Sequence, residues 1–145
     1  THNYAAFCGR GVMRTHVTLI SLDQSFEESR FIKRGNTVIE AFDYMGKLWP
    51  LYEGKTYQVE LELEQLDPQE PEIIHKTEPK LQKIDDTYEY HLYGYVEEYI
   101  FYVGEFKFDF KEYNDYGKYN NKYIKFIVDR INVEFLQEVT DQNNH

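Results

Sequence analysis

The residues of this sequence that could do chemistry are carboxylates, and their spacing is that of a β-strand. Glu60, Glu62 and Glu64 alternate with Val59, Leu61 and Leu63. An extended backbone sets the three acids on one wet face, about 6.6 Å apart. Asp85–Asp86 and Glu97–Glu98 add adjacent pairs. Glycoside hydrolysis needs two carboxyls facing each other across a cleft, one of them raised in pKa by an apolar wall. A ladder on one strand face meets neither condition. The expectation is a binding protein and not an enzyme, with no catalytic residue to name.

Other chemistries find no pattern. The histidines are His2, His16, His75, His91 and His145, and none pairs at zinc-ligand spacing with another or with Cys8, the one cysteine. His91 beside Glu89 reads as a solvated surface histidine. Asn114–Gly117 does not supply a calcium loop. Gly9-Arg10-Gly11 lacks the Lys-Ser/Thr of a phosphate cradle, and Ser21, Ser25 and Ser29 sit in no nucleophile motif. No metal or cofactor is expected.

The charge is directional. Residues 53–115 hold 17 Asp+Glu against six Lys, a net of −11, in a chain whose formal charge is −10. Such a segment attracts cations and basic proteins and repels phosphate backbones. It also carries 12 of the 24 Tyr and Phe residues, and tyrosine is a good interface residue: rigid, amphipathic and cheap in entropy.

Strands must position these side chains. Arg14–Leu22 alternates and reads as a strand buried on much of both faces. Phe31–Ile32 enters a turn at Gly35–Asn36, and Thr37–Tyr44 follows as a strand. Lys47–Leu51 is a connector around Trp49. Lys55–Leu66 has strict period two. Residues 67–86, with Pro68, Pro71 and Pro79, read as a long loop. Tyr88–Glu97 places Glu89, His91, Tyr93, Tyr95 and Glu97 on one face. Ile100–Phe110 reads as one strand with Phe106, Phe108 and Phe110 on its apolar side. Gly94 and Gly104 mark bulges or bends. Lys111–Lys122 is a turn region, and Tyr123–Leu136 is a strand pair turning near Asp129–Arg130.

The fold class is therefore all-β: a small antiparallel barrel or sandwich. The segment from Tyr57 to Phe135 can supply a five-stranded barrel of the oligonucleotide/oligosaccharide-binding type. Residues 1–12 read as an arm or upstream sequence before a single β domain over 13–145. A lone cysteine and no long apolar run suggest a cytoplasmic protein without a membrane span.

The leading functional expectation is an acidic module that docks on a basic protein, in concrete form an immunity protein or inhibitor that blocks a cationic toxin such as a nuclease. Glu60, Glu62, Glu64, Glu89 and Glu97 would steer and pair, Tyr93 and Tyr95 would anchor, and Tyr113, Tyr116 and Tyr119 would belong to a binding loop. A second reading is a barrel that binds single-stranded nucleic acid through Lys118, Lys122, Lys125 and Arg130 with the neighbouring tyrosines. Acidic residues within a Debye length, about 8 Å, oppose it. A third is a ligand-binding or enzymatic barrel with an internal pocket.

Overall fold

The computed structural model describes residues 12–22, 28–45 and 50–140. Cys8, Trp49, His2, His145 and residues 1–11 of the expected 1–12 arm lie outside the described residues; Val12 opens the first strand. Eleven strands and two single 3-10 turns make up the described secondary structure, with no α-helix among the described residues. The all-β expectation holds, and so does the small barrel.

Five strands close the barrel in the order β1 (Val12–Leu22), β2 (Ser29–Arg34), β3 (Thr37–Phe42), β11 (Arg130–Glu138), β4 (Thr56–Glu64). Neighbours are antiparallel except β3 and β11, which run parallel with Phe42 opposite Asn132. Counted by themselves, the barrel strands follow the order 1-2-3-5-4-1 of oligonucleotide/oligosaccharide-binding barrels. The expected barrel type is thus present, but not from the expected strands. Tyr57–Phe135 supplies only β4 and β11, and the N-terminal half of the chain supplies the rest.

Residues 65–129 form a second, six-stranded sheet inserted between the last two barrel strands. Its elements are β5 (Glu72–Ile74), β6 (Lys80–Lys83), β7 (Tyr90–Glu97), β8 (Ile100–Val103), β9 (Phe106–Asp109) and β10 (Lys122–Val128). The order is β5-β10-β7-β8-β9, with β6 pairing the first half of β7. The long loop over 67–86 therefore contains two short strands. Each follows a proline, Pro71 or Pro79, at the strand-start position where a missing N–H is tolerated.

Two glycines explain two departures from the sequence reading. Ile100–Phe110 is a hairpin and not one strand, because Gly104 at φ +63° opens a two-residue turn that puts Val103 opposite Phe106. Gly94 sits in β7 where a Cβ would lie 2.1 Å from the Tyr102 carbonyl oxygen, so the close approach of β8 demands glycine. The first strand also differs. Val17 and Leu19 are buried while His16 and Ile20 are exposed, so β1 has one buried face and not two.

Barrel interior and insertion share one core. Leu19, Ile32, Ile39, Val59, Leu61, Ile131 and Val133 fill the barrel, and Leu92, Val96, Phe101, Phe106, Phe108, Phe110, Ile124 and Phe126 form the inner face of the second sheet. The barrel also buries a charge: Arg30 Nε lies 3.2 Å from Asp43 Oδ2, both side chains nearly inaccessible. Outside β3, Glu40 is buried beneath the insertion. It accepts from Ser29 Oγ and lies 3.1 Å from Lys83 Nζ, and its backbone N–H donates to the Tyr90 hydroxyl at 2.8 Å.

Phe108→Ala should cost about 3–5 kcal/mol, the usual price of emptying a buried phenylalanine site, read as a shift in urea midpoint. Asp43→Ala should cost a similar ~3–5 kcal/mol, because it removes the carboxylate that faces the buried Arg30 guanidinium. A double change of Arg30 and Asp43 to Met and Leu should recover most of that loss. A melting temperature within a degree or two of the parent for either single variant would contradict the packing described.

Candidate functional site

The carboxylate ladder lies on the outer side of β4, as its period requires, but its acids are not free. Cross-strand register sets Arg14 opposite Glu60, Asn132 opposite Glu62 and Arg130 opposite Glu64. Arg14 Nε is 2.9 Å from Glu60, and Arg130 Nε is 3.2 Å from Glu64. Asn132 Nδ2 donates to Glu64 at 2.8 Å and to Glu62 at 3.4 Å. The ladder was legible in one strand. Its partners come from the two flanking strands, and no single-strand pattern shows them.

Tyr93 and Tyr95 lie elsewhere, on the outer face of the inserted sheet, where register adds Tyr102 and Tyr123. The Tyr95 and Tyr123 rings are 4.8 Å apart, and Lys80 and Lys125 sit over the Tyr93 ring at 5.4 and 5.7 Å. Lys107 faces Tyr102. Glu97 ends β7 on the same side, and Glu89, just before β7, lies 3.0 Å from His91 Nε2. Of the acids expected to act with these tyrosines, Glu89 and Glu97 flank them at the two ends of β7, whereas Glu60, Glu62 and Glu64 lie on the other sheet.

The turn region resolves into two 3-10 turns, Lys111–Tyr113 and Asp115–Gly117. Buried Asn114 ties them down: its Oδ1 accepts from the Tyr119 N–H at 2.7 Å and its Nδ2 donates to Asn120 Oδ1 at 2.9 Å. The three tyrosines then part ways. Tyr119 is mostly buried against Phe110 and lines a cleft rather than the exposed loop surface. Tyr113 is half-buried, packs on Phe126 at 4.8 Å and donates its hydroxyl to the Leu63 carbonyl at 3.1 Å. Tyr116 alone is fully exposed, held at φ +56°.

These turns and the barrel end enclose a groove. One cleft of about 480 Å³ is lined by Phe42, Tyr44, Glu62, Glu64, Arg130 and Asn132. A second, of about 430 Å³, is lined by Pro68, Glu70, Pro71, Asp115, Lys118 and Tyr119. Gln65, Glu112 and Tyr113 line both, so the two adjoin along these residues. The lining holds five carboxylates against Arg130 and Lys118, a net of −3. Phe42, Tyr44, Tyr113 and Tyr119 give it aromatic walls. Sequence reasoning missed Glu70, Glu112 and Asp115 as members of a site, because they meet Glu62 and Glu64 only once the insertion folds back on the barrel.

A family model described as Uncharacterised conserved protein UCP019853 matches residues 13–136. The chain belongs to that family. The match runs through all five barrel strands and the whole insertion, so the groove lies inside the region that defines the family. No curated protein and no solved structure matches the chain.

Burial raises the hydroxyl pKa of both Tyr90 and Tyr113, helped by the Glu40 charge at the first and by Glu112, Glu62 and Glu64 at the second. Each is held neutral in the fold, while the unfolded chain ionises near the ordinary value of 10.0. Their contribution to stability is therefore full below that value and falls as pH rises through it. Tyr90→Phe and Tyr113→Phe should each flatten the loss of melting temperature between pH 9 and 11 (about one unit either side of the ordinary tyrosine pKa). An unchanged alkaline slope in both variants would contradict their buried placement.

Proposed function

We propose that the protein is a binding module for a basic protein and that the groove between barrel and insertion is where the partner docks. The observation that carries this reading is the groove itself: two adjoining clefts that share Gln65, Glu112 and Tyr113, together acidic by three charges, with aromatic walls. Low-dielectric walls around like charges focus the field and steer an oppositely charged partner. Aromatic walls supply the packed contact that steering alone does not. The formal charge of −10 acts in the same sense at longer range. In its most concrete form the module is an inhibitor, an immunity-type protein that covers the cationic cleft of a toxin such as a nuclease. No catalytic step enters this role. The single cysteine is in keeping with a cytoplasmic site of action. No helix among the described residues is long and apolar enough to cross a membrane.

A second reading rests on a different surface. Tyr93, Tyr95, Tyr102 and Tyr123 with Lys80, Lys107 and Lys125 form an aromatic and basic sheet face of the kind that stacks single-stranded nucleic acid. Two features weigh against it. Lys80 and Lys125 already cover the Tyr93 ring, and the acidic insertion opposes a phosphate backbone.

Reversal of Glu70, Glu112 and Asp115 to Lys tests the first reading at groove positions that are exposed or near the rim. For a basic partner captured from the native source, the triple variant should slow association by about tenfold or more at low ionic strength, within the range steering supplies. The difference should shrink as salt rises. An association rate that ignores both salt and the charge reversal would reject the groove as docking site. Capture of single-stranded nucleic acid that is lost in Tyr95→Ala and Tyr102→Ala would transfer the function to the sheet face.

A further inference from the structure

We infer that the outer face of the inserted sheet is a self-association surface, through which two copies of the chain pack about a two-fold axis. The inference goes beyond the proposed function, since none of the residues it uses lines the groove. Cross-strand register builds one row over five strands: Ile74 on β5, Tyr123 on β10, Tyr95 on β7, Tyr102 on β8 and Lys107 on β9. Four of the five are apolar or aromatic, and Tyr102 is 40% exposed. The rows on either side are charged and opposite in sign. On one side Lys125 and Lys80 flank Tyr93, with Glu72 beyond Lys125. On the other, exposed Glu97 meets Ile100 in register, and exposed Glu98 follows in the turn. An aromatic strip nearly free of charge, in a chain of formal charge −10, has the composition of an interface core.

The arrangement of the rows selects the occupant. A half-turn about an axis along the tyrosine row lays that row of one copy on the same row of the other. It also carries the lysine row of each copy over the glutamate row of its mate. Lys80 and Lys125 of each copy then face Glu97 and Glu98 of the other, and the patch complements itself as an isologous dimer requires. The strands stay aligned, so the two sheets form a sandwich with faces about 10 Å apart. Lys80 and Lys125 keep their places over the Tyr93 ring within each copy. A nucleic-acid strand would suit the tyrosines and lysines but would meet Glu97 and Glu98 with its phosphates. A second copy uses those glutamates. Five strands about 4.8 Å apart, over roughly 20 Å of strand length, give a face of about 500 Å² per copy. The total, about 1,000 Å², is at the low end for specific interfaces, so the dimer is weak and concentration-dependent.

Sedimentation velocity of the full chain from about 1 µM to about 1 mM tests the inference. The mass should pass from monomer to dimer with a midpoint on the order of 10–100 µM, in keeping with the small area. Tyr102→Glu, at an exposed position, should abolish the dimer and leave the melting temperature of the monomer unchanged. Lys80→Glu with Lys125→Glu should weaken the dimer by about tenfold or more, and Glu97→Lys with Glu98→Lys should do the same. An equimolar mixture of these two charge variants should restore it, because each row again meets its opposite across the axis. Charges that act only within one copy would give no such rescue. A monomer at every concentration, a dimer indifferent to Tyr102→Glu, or a mixture that fails to associate would overturn the inference. A monomer that instead binds a single-stranded oligonucleotide through Tyr95 and Tyr102 would overturn it in favour of a stacking platform.

Discussion

The pairing of β4 with β11 is the constraint on which the rest of the molecule depends. It closes the barrel, and it joins two strands separated in sequence by the whole insertion. Bringing such distant residues together costs loop-closure entropy, though the cost grows only slowly with length. The ends are clamped where the insertion leaves and returns. The Asp129 N–H donates to the Glu64 carbonyl at 2.8 Å, and the Asp129 carboxylate accepts from the Leu66 N–H. Gln65 Nε2 adds a bond to the Ile127 carbonyl at 2.7 Å. The groove follows from this closure, since its two halves belong to the strand ends and to the turns that return beside them.

The same closure decides what the barrel can use. In oligonucleotide/oligosaccharide-binding barrels the face over strands 2 and 3 is a common ligand surface. Here part of that face is covered. Ser29 and Glu40 are buried under Lys83 and Tyr90, and the Phe42 ring meets Tyr88 edge-on at 5.2 Å. A buried carboxylate such as Glu40 is tolerated only with partners, and Ser29 and Lys83 supply them. Arg34 holds the other side: its Nε donates to the Glu105 carbonyl and its Nη1 to the His16 carbonyl, tying the β8–β9 turn to the first strand. The insertion takes part of that face for internal packing and leaves a depression at the barrel's edge.

Much of this was legible in the sequence where one strand carries its own pattern. Tyr57–Leu63 alternates and is buried as alternation requires. The inner and outer faces of β7 and β10 follow from period two, as does the turn at Asp129. What was not legible is pairing across distance. The patterns in Tyr57–Phe135 suffice for five strands, but closure recruits β1, β2 and β3 instead. The Glu60–Glu64 ladder looked solvated because Arg14, Arg130 and Asn132 belong to other strands. Tyr119 has polar neighbours in the sequence, and only the fold shows Asn114 turning it inward onto Phe110 at the cleft wall. In each case the missing information is a partner's position and not a residue's nature.

Fold closure gathers acidic and aromatic side chains at one groove, the proposed docking site. Chemical-shift mapping of the isotopically labelled full chain, titrated with a basic peptide of mixed Lys and Arg, tests it most directly. The account predicts perturbations concentrated on residues 62–70 and 112–119, fading as salt is raised. Perturbations centred on Tyr93, Tyr95, Tyr102 and Tyr123, or spread evenly over the acidic surface, would contradict it.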